Sequence, residues 1–269
     1  MRWDYDFKLE YNRPAAQGKY SREDMVAEQS NVRRFLIYRE LGGNFDPDSC
    51  PLTKKIYGEL WGWKDDSRWF QEIPVGGKLL VLGMETVNSF ATSLFHVFKL
   101  AGLPRITAKD YTSSVEKTIR AAIGAEAYME LERFALLTHT MGNFTLIPKS
   151  ISPYTDGGQS FNQARGFQGG HGTYDFFDLG LKLIEKHSAQ NSINLEDYAQ
   201  TFLLEDYYSN GAIVPLCDSH IAWLSGCETA DNALPGADEL FALFCEINRR
   251  IERRGKRIAE KLSAAISPL

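Results

Sequence analysis

No stretch of the chain approaches 18 consecutive apolar residues, so no membrane-spanning helix is expected. The opening Met1-Arg-Trp-Asp-Tyr-Asp has no apolar core of the kind a secretory signal carries, and the expected address is cytoplasmic. Cysteine is scarce: Cys50, Cys217, Cys227 and Cys245 are scattered over 269 residues without a C-x-x-C pair. That excludes a disulfide scaffold and reads as a reduced chain. Gly169-Gly-His-Gly172 lacks the lysine and threonine of a phosphate-binding loop. There is no internal repeat, no low-complexity segment, and neither a collagen-like nor a disordered composition. Positive charge is not in excess: 30 Lys and Arg face 35 Asp and Glu, a net charge of −5, which excludes a general polyanion binder.

What is present is an ordinary globular composition, 43% hydrophobic and 24% charged. Residues 3–11 (WDYDFKLEY) alternate apolar with charged and predict a half-buried strand. Ser21 with Asp24 opens a predicted helix running to about Leu41, stopped by Gly42-Gly43. Helical spacing predicts further helices over 52–61, 87–100, 112–122, 126–138, 174–186, 195–207 and 238–263. Short apolar runs at 78–82 and 143–148 predict strands, and 62–77 and 150–172 read as turn-rich or loop. The expected fold is α+β, predominantly helical with a small sheet, in a single domain over 1–269.

Several stretches together resemble an uncharacterised bacterial family of unknown function. They are Asp46-Pro-Asp-Ser-Cys-Pro-Leu-Thr53 with Leu60-Trp61, Gly142-Asn-Phe-Thr-Leu-Ile-Pro148, Phe161-Asn-Gln-Ala-Arg-Gly166, Tyr174-Asp-Phe-Phe-Asp-Leu179 and Asn248-Arg-Arg-Ile251. The resemblance spans about residues 46–255; the N-terminal strand and helix over 1–45 lie outside it. A shorter stretch, His139-Thr-Met-Gly-Asn-Phe-Thr-Leu-Ile147, is similar to a segment of HNH-type endonuclease domains in modification-dependent restriction enzymes. That similarity implies Asn143 and Asn162 near a divalent metal such as Mg²⁺, with an upstream His activating water. The chain departs from that pattern: it has no H-x-x-P, and its one upstream histidine is His96.

Four clusters carry the chemistry legible from residue type. Asn143, Asn162, Gln163 and Arg165 form a candidate anion-binding pocket, since amides and a guanidinium together bind a planar or anionic group. The same residues also satisfy backbone groups in glycine-rich loops. The segment 246–261 carries seven basic and three acidic residues, leaving −9 on the rest of the chain. Within it, Arg249, Arg250, Arg253, Arg254 and Arg257 recur at helical spacing, and Arg250, Arg253, Arg254 and Arg257 are candidate nucleic-acid contacts. Such a stripe equally serves ion pairs with the acidic remainder. Asp175 and Asp178 share a helix face suited to a metal or to acid–base work. Cys217, His220 and Cys227 have metal-ligand character without a fourth ligand. Trp61, Trp63, Trp69 and Phe70 plug a core or wall a pocket. No cofactor is expected outside the nuclease reading, which needs Mg²⁺. Three functions fit: a binder of an anionic ligand, nucleotide or nucleic acid; an HNH-like nuclease; or a non-catalytic protein-interaction module.

Overall fold

A computed structural model describes residues 2–10, 20–40, 50–64, 66, 68–149, 176–187, 192–225 and 235–266. The alternating N-terminal segment does not form the expected strand. Asp6 accepts the backbone N–H of Lys8 at 2.8 Å and of Leu9 at 2.9 Å, capping a short helix α1 (Phe7–Glu10). The strand-like period survives only as one bridge, Asp6 to Thr140. The single helix expected over 21–41 is two, α2 (Arg22–Ala27) and α3 (Asn31–Glu40), because the chain turns extended at Glu28. The Ser21–Asp24 capping box at the start of α2 forms as the residues predict.

α4 (Pro51–Trp61) is entered through Pro51 and closed by Gly62 in the left-handed region. β1 (Gln71–Val75) and β2 (Lys78–Thr86) follow as a hairpin over Gly76-Gly77, both at positive φ. β1 lies inside the segment read as turn. Its Pro74 is tolerated because β1 is an edge strand, paired antiparallel to β2 alone. α5 (Phe90–Leu100), α6 (Ser113–Ile123) and α7 (Ala125–Leu137) lie close to their expected bounds. A 3₁₀ turn at Met141–Asn143 leads into β3 (Phe144–Pro148), which pairs antiparallel to β2 and is buried along its length.

α8 (Phe177–Lys186) and α9 (Leu195–Thr201) come next. α9 stops well short of residue 207, because Leu203 turns to positive φ. A small hairpin of β4 (Tyr208–Ser209) and β5 (Ala212–Ile213) follows, turned by Asn210-Gly211. α10 (Asp218–Leu224) precedes the long α11 (Ala237–Ile266). Leu240, Leu243, Phe244, Ile247, Ile251, Ile258 and Leu262 of α11 are all buried. They pack on α7 and on the 141–143 turn, so α11 is the spine of the core. The architecture is α+β and predominantly helical, with a three-stranded antiparallel sheet in the order β1-β2-β3. No described helix is long and apolar enough to cross a membrane.

Candidate functional site

Of the residues singled out by pattern, Asn143 and Arg254 meet at a buried polar joint around the 141–144 segment. Gly142 lies so close to α11 that a Cβ there would sit 1.9 Å from the Ile251 carbonyl oxygen. Only glycine permits that approach. Beside it, Asn143 is fully buried. Its Nδ2 donates to the carbonyls of Asn88 and Thr138, both at 2.9 Å, and its Oδ1 accepts from Asn88 N at 3.0 Å. Asn88 in turn donates from Nδ2 to the Tyr207 hydroxyl at 2.7 Å. Asn143 therefore has both amide protons engaged inside the protein. Asn162, Gln163 and Arg165 lie outside the described residues, as do Asp175, His171 and Cys227.

The basic residues of α11 do not form one exposed stripe. Positions 247, 250, 251, 254 and 258 share a helix face, so Arg250 and Arg254 turn inward with the isoleucines. Arg250 is 1% exposed; it donates to Glu246 and to the carbonyls of Val214 and Pro215. Arg254 is completely buried and donates to the carbonyls of Phe202 at 3.1 Å, Gly142 at 3.0 Å and Phe144 at 2.6 Å. Burial pushes its guanidinium down to about 10. Arg253 pairs with Asp206 at 3.2 Å and Arg257 with the same carboxylate at 2.6 Å. The charged run thus ties α11 to the 202–206 turn and the 141–144 segment.

A second arrangement was not legible as a motif. α3 is fixed at both ends. At its N-terminus, Glu132 of α7 accepts from Asn31 N at 2.6 Å, Ser30 Oγ at 2.7 Å and Tyr128 Oη at 2.8 Å. Tyr128 shares a 2.7 Å hydrogen bond with Tyr111, whose phenol burial pushes up to about 12. From both ends of α3 side chains grip the buried peptide of Ala108: Arg33 Nε, in the first turn, donates to Ala108 O at 3.0 Å, and Ala108 N donates to Glu40, the last residue, at 2.6 Å. α5 ends in a turn through Gly102 at φ 64°, and Pro104 sets the direction of the strand-like segment after it.

These constraints place Arg39 of α3 and Arg105 of that segment on one cleft of about 170 Å³, over a floor that includes Leu36, Leu94, Phe98 and Ile106. Both arginines are exposed. Neither makes a hydrogen bond or ion pair with any described residue. Burial of the Arg39 stem, then the like charge of Arg105, lowers the Arg39 pKa from its ordinary value. Glu40, a carboxylate on the same cleft, accepts from Ala108 N at 2.6 Å and forms no ion pair with either arginine. Among the described residues, no carboxylate forms an ion pair with either arginine over this largely apolar hollow.

A third cluster joins α8 to α10. Asp178, fully buried, accepts from His220 Nδ1 at 2.7 Å and from Leu216 N at 2.8 Å with Oδ2, and from Leu179 N at 2.9 Å with Oδ1. Burial pulls the His220 pKa down, but the Asp178 carboxylate, by charge and hydrogen bond, and the Cys217 thiol beside the ring carry it up to about 10. Among the described residues, no three His, Cys, Asp or Glu side chains are grouped to hold a metal.

Fold and site together define an α+β protein with a cleft lined by two arginines that have no ion-pair partner among the described residues. No family model, no curated protein and no solved structure matches the chain.

Proposed function

We propose that the protein binds a small organic anion, a phosphate monoester or a carboxylate carried on an apolar body, in the cleft between α3 and the segment after α5. The observation that carries this reading is the pair Arg39 and Arg105, exposed, without an ion-pair partner among the described residues, above an apolar floor. Guanidinium forks match phosphate and carboxylate oxygens two at a time, so two arginines grip the head group while Leu94, Phe98 and Ile106 receive the body. This keeps the anion-binding function expected from residue type and moves it to different arginines. A nucleotide falls within the class; a duplex is too wide for the hollow.

The test is calorimetric titration of the full chain with inorganic phosphate, a nucleoside monophosphate and an aromatic carboxylate. At least one of the two organic anions is expected to bind more tightly than phosphate alone. Each charge-assisted hydrogen bond is worth about 1.5–3 kcal/mol, so Arg39→Ala or Arg105→Ala is expected to weaken binding roughly tenfold to a hundredfold. Arg253→Ala, outside the cleft, is the control. Absence of binding by all three anions, or binding unchanged in both cleft variants, contradicts the proposal.

A further inference from the structure

The β1–β2 hairpin carries a charge on its inner face. Its register pairs Ile73 with Leu80 and Val75 with Lys78, so these four side chains share one face. Ile73 and Val75 are buried, and the ammonium of Lys78 ends the row. Lys78 Nζ donates to the Ser192 carbonyl at 3.2 Å, crossing to the segment that enters α9. Ser192 sits at φ 56°, in the left-handed region that non-glycine residues rarely adopt. Asp197 of α9 comes against the hairpin turn: a Cβ on Gly76 would stand 2.1 Å from its Oδ2. Gly76 is therefore fixed as glycine by that contact as well as by its φ of 55°. Lys78 and Asp197 line one cleft of about 190 Å³, with Val75, Leu80 and Ile193 as its apolar wall. They form no ion pair with each other. The Asp197 carboxylate has no hydrogen-bond or ion-pair partner among the described residues; the bonds of this residue are made by its backbone.

Opposite charges held apart on one cleft define a ligand that carries both. Lys78 has two ammonium protons beyond the one given to Ser192, and Asp197 has both carboxylate oxygens open. A lone anion would meet the Asp197 carboxylate, and a lone amine or metal ion would meet the Lys78 ammonium, so each is repelled by one of the two. A molecule with a carboxylate and an ammonium on one carbon meets both with the right sign. We propose that this cleft binds a free α-amino acid with a short aliphatic side chain. The ligand carboxylate accepts from Lys78 and the ligand ammonium donates to Asp197. Its side chain packs on Val75, Leu80 and Ile193, which removes apolar surface from water. The site shares no residue with the cleft of Arg39 and Arg105, and it differs from that cleft in needing the ammonium of the ligand.

The experiment is calorimetric titration of the full chain with L-valine and with two probes that each lack one charged group of valine. Isovalerate lacks the ammonium, and isobutylamine lacks the carboxylate. L-Valine is expected to bind saturably and roughly tenfold or more tightly than either probe, since a hydrogen bond to a charged group is worth about a factor of ten or more. Lys78→Gln and Asp197→Asn are each expected to weaken valine binding roughly tenfold. Neither side chain is buried, so both variants are expected to keep the fold by circular dichroism. Isovalerate binding as tightly as valine overturns the proposal, because the ammonium is then not recognised. Valine binding lost in Arg39→Ala and kept in the Lys78 and Asp197 variants places the ligand in the other cleft and overturns it as well. So does the absence of saturable valine binding, or valine binding unchanged in both Lys78→Gln and Asp197→Asn.

Discussion

Asn143 uses its side chain entirely inside the protein, bridging the turn before β3 to the loop before α5. Truncation leaves two carbonyls and one N–H unsatisfied in a site with no water access. We expect Asn143→Ala to lower unfolding free energy by about 3 kcal/mol in urea denaturation, the order set by orphaning buried partners at 1–3 kcal/mol each. A smaller loss than about 1 kcal/mol would mean that solvent reaches the joint. The residue types in this stretch were legible as special, but their use was not. Gly142, Asn143 and Arg254 stand out in sequence because the turn and α11 pack backbone to backbone, which needs a glycine and donors for stranded carbonyls, while Asn248 ties α11 to Glu130 of α7. Pattern alone cannot tell an amide that binds a ligand from one that binds its own chain. Arg250 and Arg254 misled for the same reason: a charge on a helix reads as a surface until its face is compared with Ile247 and Ile251.

At the scale of elements, helices were legible where a cap accompanied the period. Ser21, Ser89, Thr112 and Asn194 each accept an N–H at the start of a helix. Two hairpins were missed although their turns carry Gly76-Gly77 and Asn210-Gly211, pairs suited to two consecutive positive φ angles. The turn-rich reading of 62–77 masked the first, and the helical run into residue 207 masked the second. The α8–α10 joint was invisible, because Asp178 and His220 meet only through the fold, and its pairing has a pH signature. Folded His220 holds its proton to about pH 10, while the unfolded ring releases it near 6.5. The stabilisation is therefore complete below pH 6.5 and is lost as pH rises toward 10, at most about 1.4 kcal/mol per pH unit. Urea midpoints measured across that window are expected to fall in the wild type and to fall less in Asp178→Asn. Parallel slopes would show that the pair does not share a proton as described.

At the scale of the molecule, the arginines of α11 answer carboxylates or carbonyls, while Arg39 and Arg105 answer none among the described residues. Against a net charge of −5, two cations on one cleft without an ion-pair partner among the described residues are a local inversion of the surrounding field. No motif announces it, because Arg39 ends a helix and Arg105 follows a proline, and only the grip of α3 on Ala108 brings them side by side. The fold class was readable from periodicity; this cleft depended on tertiary placement. Its claim is tested most directly by crystals of the full chain soaked in tungstate, a heavy phosphate mimic whose position is read from anomalous density. The account predicts a tungstate between Arg39 and Arg105. Tungstate bound elsewhere with that cleft empty, or no ordered tungstate at all, would contradict it.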